Sequence, residues 1–209
     1  MKNKHQTSIA AIILAGGKST RMGQDKALLT KNDCSLLNHV CTVALDVLND
    51  VYVITPWTSK YQNLIPPKVH LIKERLVLAN AESNCPLIGF YQALQQVDTH
   101  WVLLLACDLP LLRSEVIKQW CAYLSKVDSS EIALLPIDSK GYQPLCGFYR
   151  SSCLPLLKTY IEQGGKSFQK WLAQYPVKEL PISDRSVLFN CNTPEDWANI
   201  NQSTVNSNQ

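Results

Sequence analysis

Short apolar runs alternate with amphipathic stretches along most of the chain. Residues 9–14 and 101–105 are wholly apolar, which is typical of strands that are covered on both faces of a parallel sheet. Residues 36–48 carry apolar positions at helical spacing, and Ser35 precedes them as a candidate N-cap. A strand then follows at residues 51–55, and this strand–helix–strand order predicts a right-handed parallel crossover. The pattern therefore predicts an α/β domain with a mostly parallel sheet.

The rest of the chain continues this alternation. We predict further strands at residues 69–72, 131–136, 145–149, 177–180 and 187–189. We predict further helices at residues 86–97, 114–126, 151–161 and 167–173, and a last helix that Thr193 caps. No linker divides residues 1–209, so we expect a single domain, with polar residues 1–7 and the Ser/Asn/Gln-rich residues 202–209 disordered.

A glycine-rich, basic loop follows the first strand, with the sequence LAGGKSTRMGQDK from Leu14 to Lys26. Its three glycines allow a tight turn and a close approach of the backbone to a ligand. Arg21 and Lys26 add positive charge to the same loop, and backbone N–H groups with fixed cations suit a polyphosphate. The spacing matches neither a Walker P-loop nor G-x-G-x-x-G. The loop therefore predicts a phosphate-binding site of another kind.

A single carboxylate, Asp108, stands just after the apolar strand at residues 101–105. Ligands of open α/β sheets bind at the carboxyl ends of the strands, which is also where the glycine-rich loop begins. A carboxylate in that place can hold Mg²⁺, which in turn bridges phosphate oxygens. We therefore predict that Asp108 and the loop act on one ligand.

Composition narrows the classes of protein to which the chain can belong. The balance of 20 Lys and Arg against 17 Asp and Glu gives a net charge of only +3, which does not indicate a nucleic-acid binder. No apolar run approaches the ~20 residues of a membrane span, and we expect a cytoplasmic protein. None of the 8 cysteines forms C-x-x-C, which favours free thiols over a disulfide framework.

The motif L-A-G-G-x-S-x-R-M-G-x-D-K-A, at residues 14–27, resembles the signature of nucleotidyltransferases with a GT-A-like, Rossmann-type domain. Within them, the chain is most similar to the molybdenum cofactor guanylyltransferases. C-D-x-P at residues 107–110 and N-x-N-T-P at residues 190–194 fit the same family, and the resemblance spans about residues 8–200. It implies a three-layer α/β sandwich.

The resemblance also implies roles for individual residues. The implied nucleotide-binding residues are Leu14, Ala15, Gly16, Gly17, Lys26, Glu74 and Asp108. Asp108 would bind the magnesium. By their charge, Arg21 and Lys26 can stabilise the triphosphate and the departing pyrophosphate, so we predict these three as the catalytic set. Asn190 and Asn192 would face the acceptor. Glu74 stands where the family often has Asp, and Cys85 replaces the first Gly of the G-P-L-x-G segment.

The implied activity is the Mg²⁺-dependent transfer of GMP from GTP to molybdopterin or its molybdenum-bearing form, with release of pyrophosphate. The implied partners are proteins of molybdenum insertion and molybdoenzyme maturation, with neither nucleic acid nor membrane. Two alternatives stay open: a cytidylyltransferase acting on the same cofactor or on an isoprenoid sugar phosphate, and a catalytically silent nucleotide-binding module. Gly17 and the pair Asp25-Lys26 favour guanylyl transfer, because cytidylyltransferases tend to have L-A-A-G at this position.

Overall fold

A mostly parallel sheet of seven strands forms the centre of the structure, a computed structural model that describes residues 8–17, 25–31, 34–76 and 85–205. The strands are β1 (Ile9–Leu14), β2 (Thr30–Lys31), β3 (Cys34–Ser35), β4 (Asp50–Thr55), β5 (His70–Lys73), β6 (Trp101–Ala106), β7 (Ala133–Leu135), β8 (Ile137–Asp138), β9 (Gly141–Tyr142), β10 (Cys146–Arg150) and β11 (Val177–Glu179). The helices are α1 (Leu36–Leu45), α2 (Thr58–Tyr61), α3 (Pro86–Leu94), α4 (Ser114–Cys121), α5 (Leu154–Glu162), α6 (Phe168–Leu172) and α7 (Pro194–Val205).

The strand order of the central sheet is β11-β7-β10-β6-β1-β4-β5. β1 pairs in parallel with both β4 and β6, and β4 pairs in parallel with β5. β10 runs antiparallel between β6 and β7, while β2–β3 and β8–β9 form two separate hairpins. The chain adds β4 and β5 on one side of β1 and then returns to add β6 on the other. This reversal beside β1 creates the kind of crevice in which α/β sheets bind ligands.

Helices cover both faces of the sheet, as the wholly apolar strands predicted. Along β1, Ala11 and Ile13 pack with α1 and α4, whereas Ala10 and Ile12 face α3, α5 and α6. Successive side chains of a strand point to opposite faces, so a strand between two helical layers must be apolar at every position. The predicted three-layer α/β sandwich is therefore confirmed.

Helix boundaries follow local capping. Ser35 Oγ accepts a hydrogen bond from the Asn38 backbone N–H at 3.2 Å and begins α1, and Ser167 begins α6 in the same way. The predicted helix at residues 114–126 changes at Cys121 from α-helix to a 3₁₀ helix, and the one at 151–161 begins with a 3₁₀ turn at 151–153. Single residues therefore predicted the helix caps, whereas the sequence did not predict the changes between α-helix and 3₁₀ helix.

Two predictions near the C-terminus differ from the structure. The predicted strand at 187–189 is wrong: residues Arg185–Leu188 form a 3₁₀ turn, because the Asp184 carboxylate accepts a hydrogen bond from the Ser186 backbone N–H and begins a turn there. The predicted disorder from residue 202 is also wrong for residues 202–205, since α7 continues to Val205. Residues 1–7 and 206–209 lie outside the described residues.

The cysteines and the helix lengths settle two further points. All eight cysteines lie in the described residues and are free thiols, as their spacing predicted. Across the described ranges, no helix combines the length and the apolar character that crossing a membrane requires.

We predict that Gly147→Ala on β10 destabilises the fold. A Cβ at Gly147 would lie 2.8 Å from both the Leu134 carbonyl oxygen and Leu135 Cδ2, and backbone of a neighbouring strand cannot easily move. The free energy of unfolding should fall by about 1–3 kcal/mol in urea titrations. Gly17→Ala is the matched control, because its Cβ would meet nothing within 4 Å. Equal stability of the two variants would contradict this account of the packing.

Candidate active site

A cavity of about 360 Å³ opens at the carboxyl ends of β1, β4 and β6. This volume falls within the usual range for small-molecule sites. Its lining includes nine residues predicted from the sequence: Leu14, Ala15, Gly16, Gly17, Lys26, Glu74, Asp108, Asn190 and Asn192. Arg21 and the other residues of 18–24 lie outside the described residues, so the role of Arg21 stays a prediction. Every other predicted site residue lies on this one cavity.

The centre of the cavity is a cluster of Lys26, Asp108 and Asn192. Lys26 Nζ lies 3.3 Å from Asp108 Oδ2 and donates a hydrogen bond of 2.5 Å to Asn192 Oδ1. The side chains of Lys26 and Asp108 are each only 15% exposed, so solvent screens their ion pair weakly. One ammonium group thus contacts both the predicted metal ligand and a residue predicted to face the acceptor.

The strand register and one backbone hydrogen bond bring these three residues together. β1 and β6 pair with Leu14 opposite Ala106, so the glycine-rich loop and Asp108 leave the sheet side by side. The Cys191 backbone N–H donates to the Asp108 carbonyl at 3.0 Å, which holds the segment containing Asn192 against the same edge.

The start of α7 directs the Asn192 side chain into the cavity. Thr193 Oγ1 accepts from the Asp196 backbone N–H, and Asp196 Oδ2 accepts from the backbone N–H groups of Asn192 and Thr193 at 2.8 and 2.9 Å. These N–H groups lower the pKa of Asp196 below its ordinary value. Thr193 therefore caps the helix as predicted, which leaves the Asn192 amide to bond Lys26 and, through Nδ2, the Asn190 carbonyl at 3.3 Å.

Asp108 carries an incompletely satisfied carboxylate. Burial raises the pKa of Asp108, and the neighbouring Lys26 ammonium only partly opposes that effect. Its Oδ1 atom is buried with no hydrogen-bond partner among the described residues. A buried oxygen of this kind that lines a ligand cavity is suited to a hard cation. The described part of the chain contains no group of three or more His, Cys, Asp and Glu residues that could hold a metal ion, so other ligands would come from substrate and solvent.

Glu74 also lines the cavity, and two glycines make room for its side chain. It is 7% exposed and directly follows β5. A Cβ at Gly16 would lie 2.7 Å from Glu74 Oε2, and one at Gly89 would lie 3.3 Å from Oε1. Gly89 belongs to the CPLIG segment that the sequence singled out. These glycines therefore accommodate the longer Glu side chain where the family often has Asp.

The lining residues that sequence reasoning did not place in the site include Asp25, Tyr61 and Cys107. Asp25 and Tyr61 are hydrogen-bonded to each other at 2.6 Å, and Tyr61 lies in the segment 56–67, which the sequence predicts as a loop that can contain a short helix at residues 59–64. The Asp-Lys pair at the end of the motif was the available signal for Asp25. Cys107 also lines the cavity rather than only the core. Burial and the adjacent Asp108 raise the pKa of the Cys107 thiol well above its usual range, so it remains protonated and is a poor nucleophile.

Comparison with known proteins identifies the family of the chain. The sequence model of the MobA-like NTP transferase domain matches residues 11–179. The chain belongs to the MobA-like NTP transferase family. A protein of Trichormus variabilis named probable molybdenum cofactor guanylyltransferase is 50% identical over 191 residues, which cover 91% of this chain and 89% of that protein. A protein of the same name from Synechococcus elongatus is 40% identical, over 91% of this chain and 96% of its own length.

Solved structures share the fold of this MobA-like chain. The molybdopterin-guanine dinucleotide biosynthesis protein A of Archaeoglobus fulgidus superposes with a TM-score of 0.75 at 19% identity, covering 94% of this chain and 99% of its own. A 4-diphosphocytidyl-2C-methyl-D-erythritol synthase of Anaerococcus prevotii superposes with a TM-score of 0.68 at 13% identity, covering 95% of this chain and 98% of its own. These similarities show a common fold. The names of the two proteins indicate that one belongs to guanine dinucleotide biosynthesis and that the other handles a cytidyl group.

We predict that Asp108→Asn raises the thermal stability of the free protein at neutral pH. The folded-state pKa of Asp108 is raised, so ionising it costs stability above the ordinary carboxyl value of 3.8 and nothing well below it. The gain in melting temperature should therefore be a few degrees at pH 7 and should vanish as the pH falls below about 3.8.

Asp184→Asn is the control, because the pKa of Asp184 is shifted in the direction opposite to that of Asp108. Hydrogen bonds from Arg113 and Ser186 lower the pKa of Asp184 to about 2, so removing its charge should not stabilise the protein at pH 7. Unchanged or lower melting temperature of Asp108→Asn at pH 7 would contradict the cost of burying this carboxylate.

Proposed function

We propose that this chain transfers GMP from GTP to molybdopterin or its molybdenum-bearing form and releases pyrophosphate. The observation that carries the proposal is the contact of Lys26 with both Asp108 and Asn192 in one cavity. The names of relatives at 40–50% identity support the same activity. In this proposal, proteins that insert molybdenum and mature molybdoenzymes handle the acceptor and the product.

The reaction needs no nucleophile from the protein. A phosphate oxygen of the acceptor attacks the α-phosphorus of GTP, the new P–O bond forms, and the bond to the β-phosphate oxygen breaks. The protein must align the two phosphates and stabilise the charge that moves to the leaving pyrophosphate. The Lys26 ammonium supplies positive charge at this place, and the backbone of Ala15, Gly16 and Gly17 approaches the nucleotide. Arg21 is proposed as a second cation for the pyrophosphate.

Asp108 is the residue proposed to hold Mg²⁺, and its unpartnered Oδ1 supports this role. When bound, the ion would neutralise charge on the α-phosphate and so favour attack by an anionic oxygen. Asp108 also attracts the Lys26 ammonium and thereby keeps it beside the phosphate position. One carboxylate with substrate phosphates is a common protein contribution to a magnesium site.

The Glu74 carboxylate favours the binding of guanine over that of cytosine. Guanine presents two neighbouring donors, N1–H and the N2 amino group, and a carboxylate has two oxygens that can accept both. Cytosine presents acceptors at N3 and O2, which a carboxylate would repel. Leu14 and Gly16 lie on the same cavity and would contact the base and its ribose.

Asn190 and Asn192 are proposed to bind the acceptor. An amide offers both a donor and an acceptor, and the edge of a pterin requires both. Since Asn192 bonds the Lys26 ammonium, an acceptor bound there would lie next to the triphosphate. This adjacency is what transfer between two bound phosphates requires.

The activity assay compares GTP with CTP in the presence of molybdopterin and Mg²⁺ and follows pyrophosphate release. We expect a preference for GTP, loss of activity with EDTA, and turnover at least about tenfold lower for Lys26→Ala, because an essential phosphate contact is removed. Lys118→Ala is the matched control, since Lys118 is an exposed residue of α4. A preference for CTP would indicate a cytidylyltransferase, and binding of GTP without turnover would indicate a silent module.

We predict that Glu74→Gln reduces kcat/KM for GTP by roughly ten- to a hundredfold. The substitution removes the negative charge and replaces one carboxylate oxygen, an acceptor, by an amide NH₂ group, a donor that would face the N–H groups of guanine. The value for CTP should fall less, so the ratio of the two values measures the effect. Glu179→Gln, at the exposed end of β11, makes the same change away from the cavity and should leave the ratio unaltered. An unchanged ratio for Glu74→Gln would reject the guanine contact.

A further inference from the structure

Asp25 immediately precedes Lys26 in the chain, and its carboxylate accepts three hydrogen bonds. Oδ1 accepts from the Ala27 backbone N–H at 3.1 Å, which makes Asp25 the N-cap of the 3₁₀ turn Lys26–Leu28. Oδ2 accepts from the Tyr61 hydroxyl at 2.6 Å and from the Lys60 ammonium. The direction in which the chain leaves Asp25 is therefore set by both of its carboxylate oxygens.

The two side-chain donors, Tyr61 and Lys60, lie on α2, which contacts β5 at the edge of the sheet. Tyr61 is fully buried in the core cluster that contains β1 and α1. Burial and the Asp25 carboxylate raise the pKa of Tyr61, so its phenol keeps the proton that it donates. The Lys60 ammonium lies 5.8 Å and 5.7 Å from the ring centroids of Trp57 and Tyr61, a cation–π distance. α2 thus provides a fixed support for Asp25.

Charge gives a second reason for this arrangement. Asp25 lines the same cavity as Lys26 and Asp108, and an uncompensated carboxylate there would attract the Lys26 ammonium and repel a triphosphate. Lys60 neutralises that carboxylate from the outer side, where its own side chain is 43% exposed. The Lys26 ammonium instead contacts Asp108 and Asn192.

We propose that Tyr61 and Lys60 are positioning residues that act through Asp25 to hold Lys26 over the phosphate-binding part of the cavity. This inference rests on the proposed function, because it assigns them to the step in which Lys26 stabilises the leaving pyrophosphate. In this inference both residues act on Asp25 and not on the substrate. Their contribution therefore depends entirely on Lys26.

The first test compares Tyr61→Phe with Tyr52→Phe in the full-length protein. Both variants lose one phenolic hydroxyl, but Tyr52 lies on β4 and stacks on His70 away from Asp25. We expect kcat for pyrophosphate release to fall on the order of tenfold in Tyr61→Phe, since small displacements of a catalytic group are costly. KM for GTP should stay within about threefold, and Tyr52→Phe should match the parent protein. Parent-like kcat in Tyr61→Phe would overturn the inference.

A double-mutant cycle separates positioning from a general loss of stability. If Tyr61 acts only through Lys26, Tyr61→Phe should add nothing to Lys26→Ala, and the double variant should turn over at the rate of Lys26→Ala. A further decrease in the double variant would show that Tyr61 acts independently and would overturn the inference. Near-normal turnover of Lys26→Ala alone would instead reject the role of Lys26 in the proposed function.

Lys60 provides a version of the test that does not disturb the core. Lys60→Met removes the charge and should lower kcat in the same direction as Tyr61→Phe, whereas Lys60→Arg keeps the charge and should restore most of the activity. Melting temperatures of all variants, measured under the assay conditions, establish that each protein is folded. Equal activities of Lys60→Met and Lys60→Arg would contradict the neutralisation of Asp25 by Lys60.

Discussion

The parallel pairing of β1 with β6 is the constraint on which the cavity depends. It sets Leu14 opposite Ala106, so the two strands end at the same level and their following loops leave the sheet together. The Cys107 backbone N–H then donates to the Leu14 carbonyl, and the Ala15 N–H donates to Ile54 on the other neighbouring strand. A shift of this register by one residue would turn Asp108 away from the loop and would also move every inward side chain of a buried strand.

Charged side chains cluster at this edge of the sheet, and positive and negative groups are paired there. Lys26 is bonded to Asp108 and Asn192, while Asp25 is satisfied by Tyr61, Lys60 and a backbone N–H. A buried charge is tolerated when it is paired and hydrogen-bonded, and Asp108 is the member of the group that is least well satisfied. That local deficit is a cost in the free protein, and under the proposed function a cation bound there would offset the cost and would in turn attract a polyanion. Under the proposed function, the stability of the free protein and the binding of a cation would therefore oppose each other at Asp108.

Local chemistry explains which parts of the fold were predictable. The buried strands at residues 9–14 and 101–105 were evident because a covered strand must be apolar at every position. Ser35 and Thr193 marked helix starts through one side chain each. The strand predicted at 187–189 was wrong because a short apolar run has no decisive period, and a capping contact from Asp184 produced a turn instead.

The sequence by itself determined the type of fold, the glycine-rich loop and the residue types needed to handle phosphate, because these depend on local periodicity and on motif spacing. The tertiary structure alone decided that Lys26 meets Asn192 across 166 positions of the chain and that Tyr61 reaches Asp25 across 36. It also decided that Gly16 and Gly89 leave room for the Glu74 carboxylate. Such contacts depend on strand register, on the path of each loop and on the space between elements, and no local pattern of residues encodes those quantities.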